Sequence, residues 1–132
     1  MSFSTFGRHV IADFQGVSQD VLDDYDFLRS ALHEAALACG ATVVGEQFNK
    51  FDPQGVTGVL VLAESHLSIH TYPEHGFCAI DCYTCGTEVD PEKAYRHLVT
   101  LLKPKRVYKR GLMRGTGEII DLTENELKVV NS

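Results

Sequence analysis

The stretch AESHLSIHTYPEHGFCAIDCYTCG, residues 63–86, brings two serines, three histidines and three cysteines together in a segment rich in strand-forming residues. Such side chains bind metals, act as nucleophiles or move protons. Metal binding is the first reading to test, because Cys82-x-x-Cys85 with Cys78, His75, His70 and His66 nearby looks like a ligand set. Strand alternation argues against it. If residues 77–84 form a regular strand, Cys78 and Cys82 share one face and Cys85 points to the other. The chain has no second C-x-x-C, so no metal is expected, and Cys78 and Cys82 read as small buried hydrophobes.

The same alternation sorts HLSIHTY. His66, Ser68, His70 and Tyr72 share one face, and Leu67 and Ile69 take the other, so one side is dry and the other chemically equipped. Upstream lies the apolar run GVLVLA, and a hairpin between the two runs turns at Glu64-Ser65-His66. That turn has no Gly, Pro, Asn or Asp, the residues that supply tight hairpin geometry. Their absence points either to a longer ordinary loop or to a bond held in an unfavourable conformation, at a cost of about 1–3 kcal/mol.

The elements that must position these groups are legible by pattern. Residues 8–14 read as a strand. Residues 18–40 read as one helix, with Ser18 as N-cap, Gly40 as stop, and Val21, Tyr25, Leu28, Leu32 and Ala35 on one apolar face. Residues 41–48, 55–64, 66–72 and 77–84 read as four successive strands, which implies antiparallel pairing. A second helix spans 90–103, with Asp90 as N-cap and Pro91 at its first position. KRVYKRGLM can return as a strand, while the polar, glycine-containing tail from Gly111 is left unassigned. The order β-α-β-β-β-β-α-β predicts an α+β fold: a two-layer sandwich of antiparallel sheet with two helices on one face. The apolar GVLVLA on the uncovered face predicts sheet-to-sheet dimerisation into an α/β/β/α arrangement.

The chain has 132 residues, the length of one compact domain, so residues 1–132 are expected to form a single domain. It carries 12 basic against 18 acidic residues, a formal charge of -6, which opposes binding to nucleic acid and suits a cationic small molecule better. Its one basic cluster, KPKRVYKR, is short. No membrane span or signal-peptide layout stands out, and a cytoplasmic setting, where Cys39, Cys78, Cys82 and Cys85 stay reduced, is expected.

The run LAESHLSIHTYPEHGFCAIDCYTCG, together with GRHVIADF, GATVV, GVTGV and VDPEKAYRHL at similar spacing, closely resembles the prokaryotic S-adenosylmethionine decarboxylase proenzymes. These are pyruvoyl-dependent enzymes of spermidine biosynthesis, and the likeness covers roughly residues 7–110. It implies autocatalytic cleavage of the Glu64–Ser65 bond into a β chain, 1–64, and an α chain, 65–132, with Ser65 becoming the covalent pyruvoyl group that forms a Schiff base with S-adenosylmethionine. By the same match His70 is the proton acceptor in processing, Cys85 the proton donor in decarboxylation, and Thr57 stands where relatives commonly have a processing serine. Phe51 matches an aromatic that stacks on adenine, Glu74 a carboxylate that holds the ribose, and Tyr72 an aromatic wall where some relatives have tryptophan. The family's half-size chains dimerise and build sites from both protomers, so the strand around Asp13 and Phe14 is expected to reach a neighbour's site. Two alternatives stand beside this reading: a pyruvoyl decarboxylase of arginine or ornithine, and an uncleaved binding or metal-binding module.

Overall fold

The computed structural model describes residues 5–122 and the short strand at 127–129. Its framework is an antiparallel sheet of β1 (Gly7–Gln15), β2 (Val43–Lys50), β3 (Val56–Leu62), β4 (Ser65–Tyr72), β5 (Phe77–Cys85), β6 (Arg106–Arg114) and β7 (Ile120–Asp121), with β8 (Leu127–Val129) also pairing with β6. The spatial order is β2-β3-β4-β5-β1-β6-β7. The four middle strands in sequence form the expected meander, but β1 is inserted between β5 and β6 and pairs with both along its full length. The tail left unassigned contributes β7 and β8 at the β6 edge; residues 123–126 and 130–132 lie outside the described residues.

Helices α1 (Gln19–Leu22), α2 (Tyr25–Ala38) and α3 (Pro91–Leu102) supply the second layer, packing against the sheet through a core that includes Leu28, Leu32 and Leu98 with Phe14, Leu60 and Ile69. The single helix expected over 18–40 is therefore two. Ser18 makes no side-chain cap; the effective cap is Asp24, whose carboxylate accepts from the Phe27 N–H. The break has a tertiary cause. Thr71 on β4 donates its hydroxyl to the Leu22 carbonyl, and Asp23 is drawn to the Gly55 N–H and to Lys50, so residues 22–24 serve the sheet end instead of continuing the helix. The second expected helix holds, with Asp90 accepting from the Glu92 N–H. Among the described residues no helix is long and apolar enough to cross a membrane.

Alternation divides every central strand. Val10, Ala12 and Phe14 of β1, Leu67 and Ile69 of β4, and Cys78, Ile80 and Cys82 of β5 are buried under the helices. Among the described residues the other face carries no helix. Register places His66, Tyr83, His9 and Leu112 in one row across it, Ser68, Asp81, Ile11 and Arg110 in the next, and His70, Ala79, Asp13 and Tyr108 in a third. An open concavity of about 530 Å³ lies over the last two rows. The uncovered face is thus a mixture of polar and apolar groups, with Ile11, Val61 and Tyr108 substantially exposed.

Candidate active site

The β3–β4 hairpin closes through Ala63 and Glu64, with Leu62 paired to Ser65. The turn thus sits before Ser65, one residue earlier than the Glu64-Ser65-His66 position expected from sequence. Neither turn residue is a Gly or Asn, and the distortion appears at the next position: Ser65 has a φ of 155°, a region that residues with a Cβ rarely occupy. Two contacts pin the turn. The Ala63 N–H donates to the Thr42 carbonyl at 2.8 Å, and Glu64 Oε1 accepts from the Thr42 N–H at 3.1 Å. The backbone carbonyl of Glu64 faces the other neighbour and accepts from the Cys85 N–H at 3.0 Å. A strained residue, a hydroxyl and a polarised carbonyl on the preceding peptide therefore coincide at one bond.

From Ser65 a line of polar side chains crosses the open face. Ser65 Oγ lies 3.5 Å from His66 Nδ1, and His66 Nε2 lies 2.7 Å from Asp81 Oδ2. The other Asp81 oxygen is hydrogen-bonded to His9 Nε2, whose Nδ1 accepts from Arg114 Nη1 at 3.0 Å. Partial burial pushes the Asp81 carboxyl up, but the hydrogen bonds and charges of His9 and then His66 outweigh it and hold the group below the usual carboxylate range. The ligand atoms of His9, His66 and Asp81 lie within 4.8 Å of one another. A cation could enter only by replacing both histidine–carboxylate hydrogen bonds.

Sequence reasoning left His66 among the lesser residues and missed His9 and Asp81. The available signal was parity, since all three occupy the equipped face. Their meeting required register: His66 and His9 both pair with Tyr83 from opposite sides, which puts each diagonal to Asp81.

The remaining sequence-predicted residues gather at the far end of the sheet. Thr57 pairs with His70, and Thr57 Oγ1 lies 3.3 Å from His70 Nδ1. His70 is five residues along β4 from Ser65, about 16 Å at roughly 3.3 Å per residue, so the two do not meet within one chain. Phe51 is exposed in the β2–β3 loop, whose Gly55 sits so near the Thr71 carbonyl that an added Cβ would lie 3.2 Å from it. Tyr72 is exposed and stacked on Phe77 with ring centroids 5.5 Å apart, and the exposed Glu74 follows in the short 3₁₀ turn Pro73–His75. The chain thus carries two separate clusters of candidate residues: Glu64, Ser65, His66 and Cys85 at one end, and Phe51, Thr57, His70, Tyr72 and Glu74 at the other.

The cysteines divide as alternation requires. Cys78 and Cys82 are buried beneath the helices, and burial pushes the Cys78 thiol up, while Cys39 together with burial does the same to Cys82. Both are neutral packing groups. Cys85 is exposed beside the β3–β4 turn, so the C-x-x-C does not converge on one ligand.

Comparison with known proteins identifies the family. The family described as S-adenosylmethionine decarboxylase matches residues 8–115. The chain belongs to that family. Among members of the S-adenosylmethionine decarboxylase family, it is 56% identical over 132 residues to a proenzyme from Symbiobacterium thermophilum, covering all of both chains. It is 54% identical to the proenzyme from Brevibacillus brevis, covering all of this chain and 98% of that one. The fold is similar to the crystal structure of the adenosylmethionine decarboxylase from Aquifex aeolicus, with a TM-score of 0.75 and 40% identity over 93% of this chain and 99% of the other. Within this decarboxylase family the hairpin at Glu64–Ser65 and the exposed Cys85 become the features to explain.

Proposed function

We propose that this chain is the proenzyme of a pyruvoyl-dependent S-adenosylmethionine decarboxylase, a single domain that cleaves itself between Glu64 and Ser65 and then makes the aminopropyl donor for spermidine synthesis. One observation carries the reading: Ser65 holds a φ of 155° while the carbonyl before it accepts from the Cys85 N–H. Strain at Ser65 raises the energy of the amide that must break, and an oriented N–H stabilises the negative charge that develops on the Glu64 oxygen when Ser65 Oγ adds to its carbon. Cleavage at this turn also leaves the sheet intact, because the pairs from Thr57–His70 to Leu62–Ser65 lie outside the broken bond.

The ester formed by the acyl shift must next lose the Ser65 α-proton. His70 is the base for this step, and its distance from Ser65 along β4 means that it acts on the Ser65 of a second copy, with Thr57 beside it. Two uncovered sheet faces packed together bring one chain's Ser65 and Cys85 to the other's Phe51, Thr57, His70, Tyr72 and Glu74. The same packing covers Ile11, Val61 and Tyr108.

Ser65 is the residue that fits conversion to the pyruvoyl group, being the strained hydroxyl residue at the start of what becomes the α chain. That group supplies a ketone that takes up the substrate amine and draws off the electrons released with carbon dioxide. The protein's own side chains do the rest. Phe51 and Tyr72 offer aromatic faces to the adenine, Glu74 offers a carboxylate to the ribose, and the net charge of -6 favours a sulfonium cation. Cys85 holds the proton that replaces the departing carboxyl group. No membrane or nucleic-acid partner enters the reading, and its setting is the cytoplasm.

Intact-mass measurement of the purified protein tests the first half: fragments 1–64 and 65–132 are expected, the second with a blocked amino terminus, and a single intact chain would overturn it. Carbon dioxide release from S-adenosylmethionine, arginine and ornithine tests the second. Turnover of either amino acid with none of S-adenosylmethionine would reassign the substrate.

A further inference from the structure

The hydrogen-bond line from Ser65 to Arg114 has one direction only. A guanidinium donates and never accepts, so the His9 Nδ1 that meets Arg114 Nη1 presents a lone pair. A neutral His9 then carries its proton on Nε2, where it donates to Asp81. The ionised Asp81 only accepts, so His66 must likewise carry a proton on Nε2, which faces Asp81 Oδ2. That leaves the lone pair of His66 on Nδ1, the atom 3.5 Å from Ser65 Oγ.

Adjacent residues on a regular strand point to opposite faces. The positive φ at Ser65 departs from that geometry, and the two side chains meet. The contact is long, as hydrogen bonds between nucleophile and base commonly are before the reaction tightens them.

We infer that His66 is the base that takes the Ser65 hydroxyl proton in the first step of self-cleavage, held in its working tautomer by Asp81, with His9 and Arg114 positioning Asp81 from the far side. This rests on the self-cleavage reading above and assigns a group to a step which that reading leaves without one. The proton passes from Ser65 Oγ to His66 Nδ1 as Oγ bonds to the Glu64 carbonyl carbon. The Glu64–Ser65 C–N bond then breaks, and His66 returns the proton to the departing Ser65 nitrogen. The acyl group has moved from nitrogen to oxygen, one proton has moved from oxygen to nitrogen, and His66 ends unchanged. Self-cleavage thus uses two histidines for two protons: His66 in the same chain for the hydroxyl, and the second copy's His70 for the α-carbon.

The test is cell-free synthesis with labelled methionine followed by a chase, since Met1 and Met113 put one label in each fragment. The His66→Ala chain is expected to cleave at least about 10²-fold more slowly than wild type. Added imidazole should restore part of that rate to His66→Ala and none to Ser65→Ala. Cleavage of His66→Ala at the wild-type rate, or slow cleavage that imidazole leaves unchanged, overturns the assignment. If His66→Ala does not fold, as judged by circular dichroism, the nearly isosteric Asp81→Asn decides: slowing by about 10-fold or more supports the relay, and a wild-type rate overturns it. A wild-type chain that stays intact would overturn the self-cleavage reading and this inference with it. A wild type that cleaves beside an unaffected His66→Ala overturns this inference alone.

Discussion

The backbone N–H of Cys85 donates to the carbonyl of Glu64 at 3.0 Å, which ties the last residue of β5 to the β3–β4 turn, where the proposed cleavage falls. In the proposed reaction Cys85 would serve the site twice, through its backbone before cleavage and through its thiol afterwards. Cys85→Ala keeps the N–H and removes the thiol. It is expected to cleave normally while its decarboxylation rate falls by about 10²–10⁴-fold, as a lost proton donor requires. Intact mass and carbon dioxide release on the same preparation separate the two effects; a variant that stays uncleaved would show that the side chain itself is needed for processing.

The separation of Ser65 from His70 predicts complementation. Ser65→Ala and His70→Ala chains are each expected to remain intact when made alone. Co-expressed, a mixed dimer joins the Ser65 of the His70→Ala chain to the His70 of the Ser65→Ala chain and restores one site. Distinguishable tags read by gel should show cleavage of the His70→Ala chain only. Failure of any chain to cleave would mean that His70 does not act across an interface.

Gly58 lies under the Phe48 ring, where any Cβ would collide with the aromatic atoms. Phe48 is itself held against Tyr25 of α2, with ring centroids 6.0 Å apart, so it has little room to retreat. Gly58→Ala is expected to destabilise the fold by about 1–3 kcal/mol, the usual cost of overpacking. Denaturant titration measures it, and an unchanged midpoint would show that the ring moves aside freely.

Acid should weaken the fold through three carboxylates. Besides Asp81, Glu46 is held below the usual range by hydrogen bonds from Arg29 and then His33, and Asp23 by the Gly55 N–H and then Lys50. Each group has a lower pKa folded than unfolded. Its contribution is therefore full above the ordinary carboxylate value near 4 and is lost as pH falls through the depressed folded value. Thermal melts are expected to drop below about pH 4, with a smaller drop in Glu46→Gln, where one such group is gone.

The sequence alone determined strands β1 to β6, the dry and equipped faces of β4 and β5, and the divergence of Cys82 from Cys85. All of these follow from period-two alternation and local residue type, which neighbours along the chain set by themselves. Only the tertiary structure decided that β1 slips between β5 and β6, because strand order depends on pairing between distant segments. That insertion brings His9 and Asp81 to His66, and no spacing within 63–86 records it. It was likewise a contact from Thr71, far along the chain, that ended α1 at Leu22. The distance between Ser65 and His70 was implicit in five strand residues, yet only the folded hairpin shows that they stay at opposite ends of one sheet, the separation from which the proposed two-copy site is argued.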